Sequence, residues 1–247
     1  MLTFLLLHIT VIILTLSPRI NSVMYRGEKI LNTNDTSTLP KLLDICVGGK
    51  YHKVKPSSEL SEEGLAGECS KWSGRACCSK ETALAINNLN VKWHSFDLEH
   101  CDGPISAKCK RHFVRDNCFF ECSPNVGPWI RRLDGQKKHS SEKFFDVPLC
   151  ASECDAWWSD CKEDMTCTDN WYYGFKWVNG TNTCKNDCKS FEAIFQNAKN
   201  FCQKVWYHSY KYVPANSDEP CFKLEFEPRA DGSNPNDEVA KYYVRLI

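Results

Sequence analysis

Asp116 is the residue whose setting most invites chemistry. A helix from about Ser106 to Cys122 would place Cys109, His112, Phe113, Asp116 and Phe120 on one face, with Arg111, Arg115, Cys118 and Cys122 on the other. A carboxylate among apolar neighbours costs several kcal/mol unless charged or multiple donors meet it. Two kinds of partner would serve: a structural arginine or helix N-terminus, or the donors of a bound ligand. Two aromatic clusters offer walls for such a ligand, Trp171-Tyr172-Tyr173-Gly174-Phe175-Lys176-Trp177 and Trp206-Tyr207-His208-Ser209-Tyr210. Planar heterocycles bind between aromatic faces while a few polar groups read their edges, and Gly174 would let the backbone come close. The same rings would serve equally well as core.

Catalytic patterns are missing. The chain has no Gly-x-Ser-x-Gly elbow, no His-Glu-x-x-His and no phosphate loop, and its histidines are scattered. The sixteen cysteines are Cys46, Cys69, Cys77, Cys78, Cys101, Cys109, Cys118, Cys122, Cys150, Cys154, Cys161, Cys167, Cys184, Cys188, Cys202 and Cys221. Three pairs have zinc-like spacing, Cys118/Cys122, Cys150/Cys154 and Cys184/Cys188, but zinc needs reduced thiolates. An apolar, charge-free run from Leu2 to Leu16 marks residues 1–22 as a secretory signal peptide, too short to span a bilayer. In the oxidising compartment it implies, an even cysteine count reads as eight disulfides with no thiol nucleophile.

The elements that must position these residues follow from pattern. Among 247 residues, 31 basic side chains balance 31 acidic ones, which argues against a nucleic-acid partner. Eight Trp, nine Tyr and thirteen Phe supply a core that a disordered chain lacks. Cysteines without a long gap make residues 23–247 one domain. Helices are expected after the N-cap Ser79, at 106–122, at 151–161, from Ser190 to about Tyr207, and after an N-cap at Asn236. Cys221 to Phe226 alternates as a short strand, and 56–63 and 214–220 read as loops. Residues 23–40 read as an exposed arm. Asn34 and Asn179 head glycosylation acceptors. No further stretch is apolar enough to cross a membrane, and the C-terminal residues lack a GPI-type tail.

Six motifs together carry a resemblance: Cys109-Lys-Arg-His-Phe113, Cys122-Ser-Pro-Asn-Val-Gly-Pro-Trp129, Val147-Pro-Leu-Cys150, Trp157-Trp158, Trp206-Tyr-His-Ser-Tyr-Lys211 and Asn234-Pro-Asn-Asp-Glu-Val-Ala240. With the full cysteine set, they resemble the folate receptor family, which also includes riboflavin-binding proteins and the egg surface sperm receptor Juno. The resemblance spans about Leu42 to Tyr243. It implies a globular α+β fold tied by eight disulfides around an open ligand pocket, with no enzymatic activity, no metal and no cofactor beyond a vitamin ligand. It also implies the pairs Cys46–Cys77, Cys69–Cys118 and Cys78–Cys122. Asp116 matches the carboxylate that faces the pterin N–H groups in the family. Phe96, Trp171, Trp177, Trp206, Ser209 and Tyr210 fall on positions that line the pocket, and Tyr172, Gly174, Phe175 and Phe120 stand among or beside them.

The chain also departs from that pattern. Folate receptors carry a Trp-Arg pair and a further Arg between the Gly-Pro-Trp and Pro-Leu-Cys motifs, whereas here the segment from Gly135 to Lys143 has no Trp and no Arg, with Lys137, Lys138 or Lys143 as the replacement donors. Lysine lacks the planar fork of arginine. Tyr172-Tyr173-Gly174-Phe175 replaces His-Lys-Gly-Trp, Leu98 replaces an aromatic, and Phe120 replaces a tyrosine. Two functions follow as expectations. The first is a secreted, monomeric carrier of folate, another pterin or a flavin, which the retained Asp116, Ser209 and Tyr210 favour. The second is an interaction protein that has lost vitamin binding and meets a cell-surface partner, which the missing Trp-Arg favours.

Overall fold

The computed structural model describes residues 42–59, 64–88, 92–132 and 142–247. The leader, the arm with Asn34, and Lys137 and Lys138 lie outside the described residues. The chain folds as a mixed α+β domain around one long helix. Strands β1 (His52–Ser57) and β2 (Ala76–Cys78) precede helix α1 (Lys80–Asn87), and the central helix α2 spans Ala107–Cys122. Next come β3 (Ile130–Arg132), β4 (Glu142–Phe144), β5 (Val147–Cys150) and α3 (Ala151–Cys161). The last part holds β6 (Met165–Thr166), β7 (Lys176–Val178), β8 (Thr181–Thr183), β9 (Lys189–Ser190), α4 (Phe191–Phe195), α5 (Ala198–Lys204), β10 (Tyr210–Val213) and α6 (Asn236–Val244).

Strands pair only in twos among the described residues. Four pairs are antiparallel, and β10 runs parallel to β5 with Tyr210 opposite Val147. Such short ladders cannot hold a domain alone, so covalent ties take over. Cys46–Cys77, Cys69–Cys118 and Cys78–Cys122 pair as the resemblance implied. The rest are Cys101–Cys188, Cys109–Cys161, Cys150–Cys221, Cys154–Cys202 and Cys167–Cys184. Sulfur atoms crowd near His100 and near Asp164, but they belong to disulfides and offer no thiolate to a metal.

Helix α2 starts where expected because Ser106 Oγ accepts the Cys109 N–H at 3.2 Å. Its side opposite Asp116 is exposed at Arg111 but closed toward its C-terminal end. Cys118 and Cys122 are fully buried there, stapled to Cys69 and to β2.

Several expected elements differ, each for a local reason. The helix expected from Ser190 to Tyr207 breaks in two. Gln196 turns to a positive φ of 72°, and Asn197 Oδ1 accepts the Asn200 N–H at 2.9 Å, capping a new start. Residues 221–226 bury Phe222, Leu224 and Phe226 in alternation but form no strand beyond one bridge from Phe222 to Leu149. The Leu224 and Glu225 N–H groups go instead to Glu153 Oε2 at 3.2 and 3.1 Å. Asn236 begins α6 but does not cap it, since its side-chain amide pairs with both backbone groups of Lys223, at 2.9 Å each. The loop expected from Pro56 starts later, because β1 continues through Ser57.

Candidate ligand site

Asp116 lies halfway along α2, and only 5% of it is exposed. Neither arginine of the helix answers it: Arg115 engages Glu68 and Glu225, each at 2.8 Å. Its partner is Tyr210, the first residue of β10, whose hydroxyl donates to Asp116 Oδ1. The parallel pairing of β10 with β5 fixes that tyrosine in register, and Tyr210 is itself buried. Trp206 turns its indole N–H toward the same carboxyl, close enough to lower its pKa but without hydrogen-bond geometry. Burial dominates these effects, and the Asp116 pKa rises to about 7. The phenol of Tyr210 is pushed well above its ordinary value by burial and by the carboxyl beside it.

The aromatic surroundings come from two turns. Trp171 donates its backbone N–H to Val205 O at 2.8 Å, which joins the turn at 170–174 to the end of α5 and sets Trp171 edge-on to Trp206 at 5.6 Å. Trp171 is 2% exposed, with Phe113 stacked on it at 4.7 Å and Phe96 at 5.4 Å. Its indole N–H reaches Thr166 Oγ1 at 2.9 Å, and His100 and Phe175 close its margin. The resemblance implied an open pocket. Here the chain's own rings lie in contact around Trp171, at centroid distances of the 4.5–7 Å that touching rings keep. Two surface depressions, of about 420 and 140 Å³, lie elsewhere and take no residue from this group.

The sequence-derived candidates thus divide. Asp116, Tyr210, Trp206, Trp171, Phe96 and Phe175 form one connected group. Ser209 stands beside it, its hydroxyl donating to Trp206 O at 2.9 Å. Phe120 is half-buried against Phe144 and His52. Tyr172 lies under Lys143, whose Nζ is 4.9 Å from that ring and 4.6 Å from Tyr207. Gly174 faces Thr168 and Asn170, where a Cβ would come within 2.1 and 2.4 Å of their oxygen atoms, so tight turn packing excludes a side chain. Trp177 is 54% exposed on the β7–β8 hairpin, opposite Asn182.

Two arrangements escaped the sequence reading, the engagement of Lys143, itself a candidate donor, and that of Glu121. Lys143 is 7% exposed and donates to Tyr207 O at 2.6 Å, pinning a turn where Tyr207 and His208 both adopt positive φ. Glu121 is fully buried, with His94 Nε2 at 2.6 Å, His52 Nε2 at 2.8 Å and the Trp93 indole N–H at 3.2 Å. Burial raises the Glu121 pKa, but both histidines outweigh it and hold the carboxyl at about 2. These partners are distant in sequence, so no spacing signals them.

A central helix stapled on two sides and eight disulfides frame a sealed carboxyl among aromatic rings. The chain belongs to the folate receptor family, which it matches over residues 45–223. It is 38% identical to human (Homo sapiens) folate receptor gamma over 209 residues, covering 83% of this chain and 82% of that protein. Folate receptor alpha of Bos taurus is 38% identical over 206 residues, 82% of each chain. Riboflavin-binding protein of Dromaius novaehollandiae is 30% identical over 186 residues, 74% of this chain and 72% of that protein.

Proposed function

We propose that the protein is a secreted carrier of a vitamin heterocycle, a folate or related pterin ahead of a flavin, with Asp116 as its polar anchor. The observation that carries this reading is the sealed Asp116 carboxyl, which meets a phenol and an indole but no cation. Such a group retains acceptor capacity for the N–H edge of a ligand, and the rings around it suit a planar partner. Kinship with folate receptors and riboflavin-binding proteins supports the same class. The leader and the eight disulfides support secretion, and no helix among the described residues is long and apolar enough to cross a membrane. A tryptophan-fluorescence titration with folic acid, a reduced folate and riboflavin tests the reading. Saturable quenching by at least one is expected, and none up to high micromolar concentration would defeat it.

A second reading, an interaction protein without a vitamin, draws on one observation: Lys143, the remaining candidate donor among the described residues of its segment, is engaged by Tyr207 O and two tyrosine rings.

A further inference from the structure

Phe96 occupies the angle between Trp171 and Trp206, stacked on the first at 27° between planes and edge-on to the second at 5.6 Å. Phe113 also stacks on Trp171 but is fully buried, so a heterocycle that stacks on Trp171 from the accessible side has to take the place of Phe96. The segment carrying Phe96 is held in a costly shape. His94 and Ser95 both adopt positive φ, 53° and 62°, which non-glycine residues keep only where their surroundings impose it. Two tight turns, Ser95 N–H to Lys92 O at 2.8 Å and Phe96 N–H to Trp93 O at 2.9 Å, complete the shape.

The restraint is identifiable at both ends. Glu121 takes the Trp93 indole N–H and His94 Nε2 on a single oxygen, Oε1. Its other oxygen faces His52. On the far side Asp97 exchanges two hydrogen bonds with the buried amide of Asn182, at 2.6 and 3.0 Å. Between these anchors sits a ring only partly buried, packed on the core rather than within it.

We infer that Phe96 is a built-in plug of the heterocycle slot, clasped by Glu121 through Trp93 and His94. The inference rests on the vitamin-binding reading for its purpose, though the clasp itself does not need a ligand. On this account Phe96 is a gating and specificity residue: a ligand must displace it, so the slot admits only rings whose stacking on Trp171 outweighs that of the phenyl ring.

Hydrogen exchange of the vitamin-free full chain tests the clasp. His94→Ala, a change at a partly exposed side chain, should speed exchange at residues 94–97 at least tenfold and leave the Trp171 and Phe201 amides unchanged. Glu121→Gln should do the same. Unchanged exchange at 94–97, or a uniform rise everywhere, would overturn the proposal and make Phe96 ordinary core. Stopped-flow mixing with folic acid then tests the plug. The wild-type association rate should level off with concentration, His94→Ala should raise that plateau tenfold, and Phe96→Ala should remove it. A linear wild-type rate would overturn the gate. Binding by neither wild type nor Phe96→Ala would defeat the vitamin reading, while exchange still decides the clasp.

Discussion

Tyr210 donates its hydroxyl hydrogen to Asp116 across 94 residues of sequence, inside a site closed to solvent. Burial of that carboxyl, which outweighs the opposing effect of the Tyr210 bond, couples the stability of the domain to proton binding. The unfolded carboxyl titrates near 3.8 and the folded one near 7, so between these values the folded chain holds the extra proton. The stabilisation is therefore complete below about pH 4 and lost as pH rises through 7, at most roughly 4 kcal/mol for a shift of that size. The vitamin-free protein should melt higher at pH 5 than at pH 8, and Asp116→Asn should flatten the difference. An equal slope in both would refute the assignment. Affinity should run the other way. A ligand that offers N–H donors favours the ionised carboxyl, so binding should weaken about tenfold for each pH unit below 7.

Helix α2 depends on covalent ties. Removing Cys69–Cys118 or Cys78–Cys122 by paired Cys→Ala changes should cost about 2–5 kcal/mol, read from denaturant midpoints. Thiol labelling of the unreduced, denatured protein should find no reactive sulfur. Two or more labels per molecule would contradict the eight bridges.

Trp171 and Trp177 come from one sequence cluster but occupy different places. Trp171→Ala should weaken vitamin binding severalfold and lower the melting temperature, because both stacking partners lose their surface. Trp177→Ala should leave affinity within twofold and stability within about 0.5 kcal/mol. A large loss of affinity in the second variant would mean that the hairpin closes over the ligand.

Expression in a secretory cell should release the protein to the medium without its first 22 or so residues. Asn179, exposed at the tip of the β7–β8 hairpin, should carry a glycan seen by mass spectrometry. Retention inside the cell, or an unmodified Asn179, would count against these two expectations respectively.

Much of this was legible because it is periodic or covalent. The spacing of Cys109, Phe113, Asp116 and Phe120 places α2 and its buried carboxyl, and sixteen cysteines in a secretory context imply eight bridges. What remained hidden depends on side chains that replace backbone partners. Asn236 mimics a strand toward Lys223, and Glu153 answers the Leu224 and Glu225 amides, so the last strand and the last cap were misplaced. The break at Gln196 turns on an asparagine cap competing with helix continuation. Asp116 was recognisable as a carboxyl in need of a partner, but choosing Tyr210 over Arg115 required the β5–β10 register. The Glu121 clasp joins His52, Trp93 and His94 through space alone.

The anchoring role of Asp116 is tested most directly by calorimetric titration of wild type and Asp116→Ala with folic acid at neutral pH. A charge-assisted hydrogen bond is worth roughly 1.5–3 kcal/mol, and stranded ligand donors add a desolvation cost, so the variant should bind about 10- to 1000-fold more weakly. Equal affinity in the two proteins, or a melting temperature lowered by the mutation with no change in binding, would contradict the account and leave Asp116 a structural partner of Tyr210.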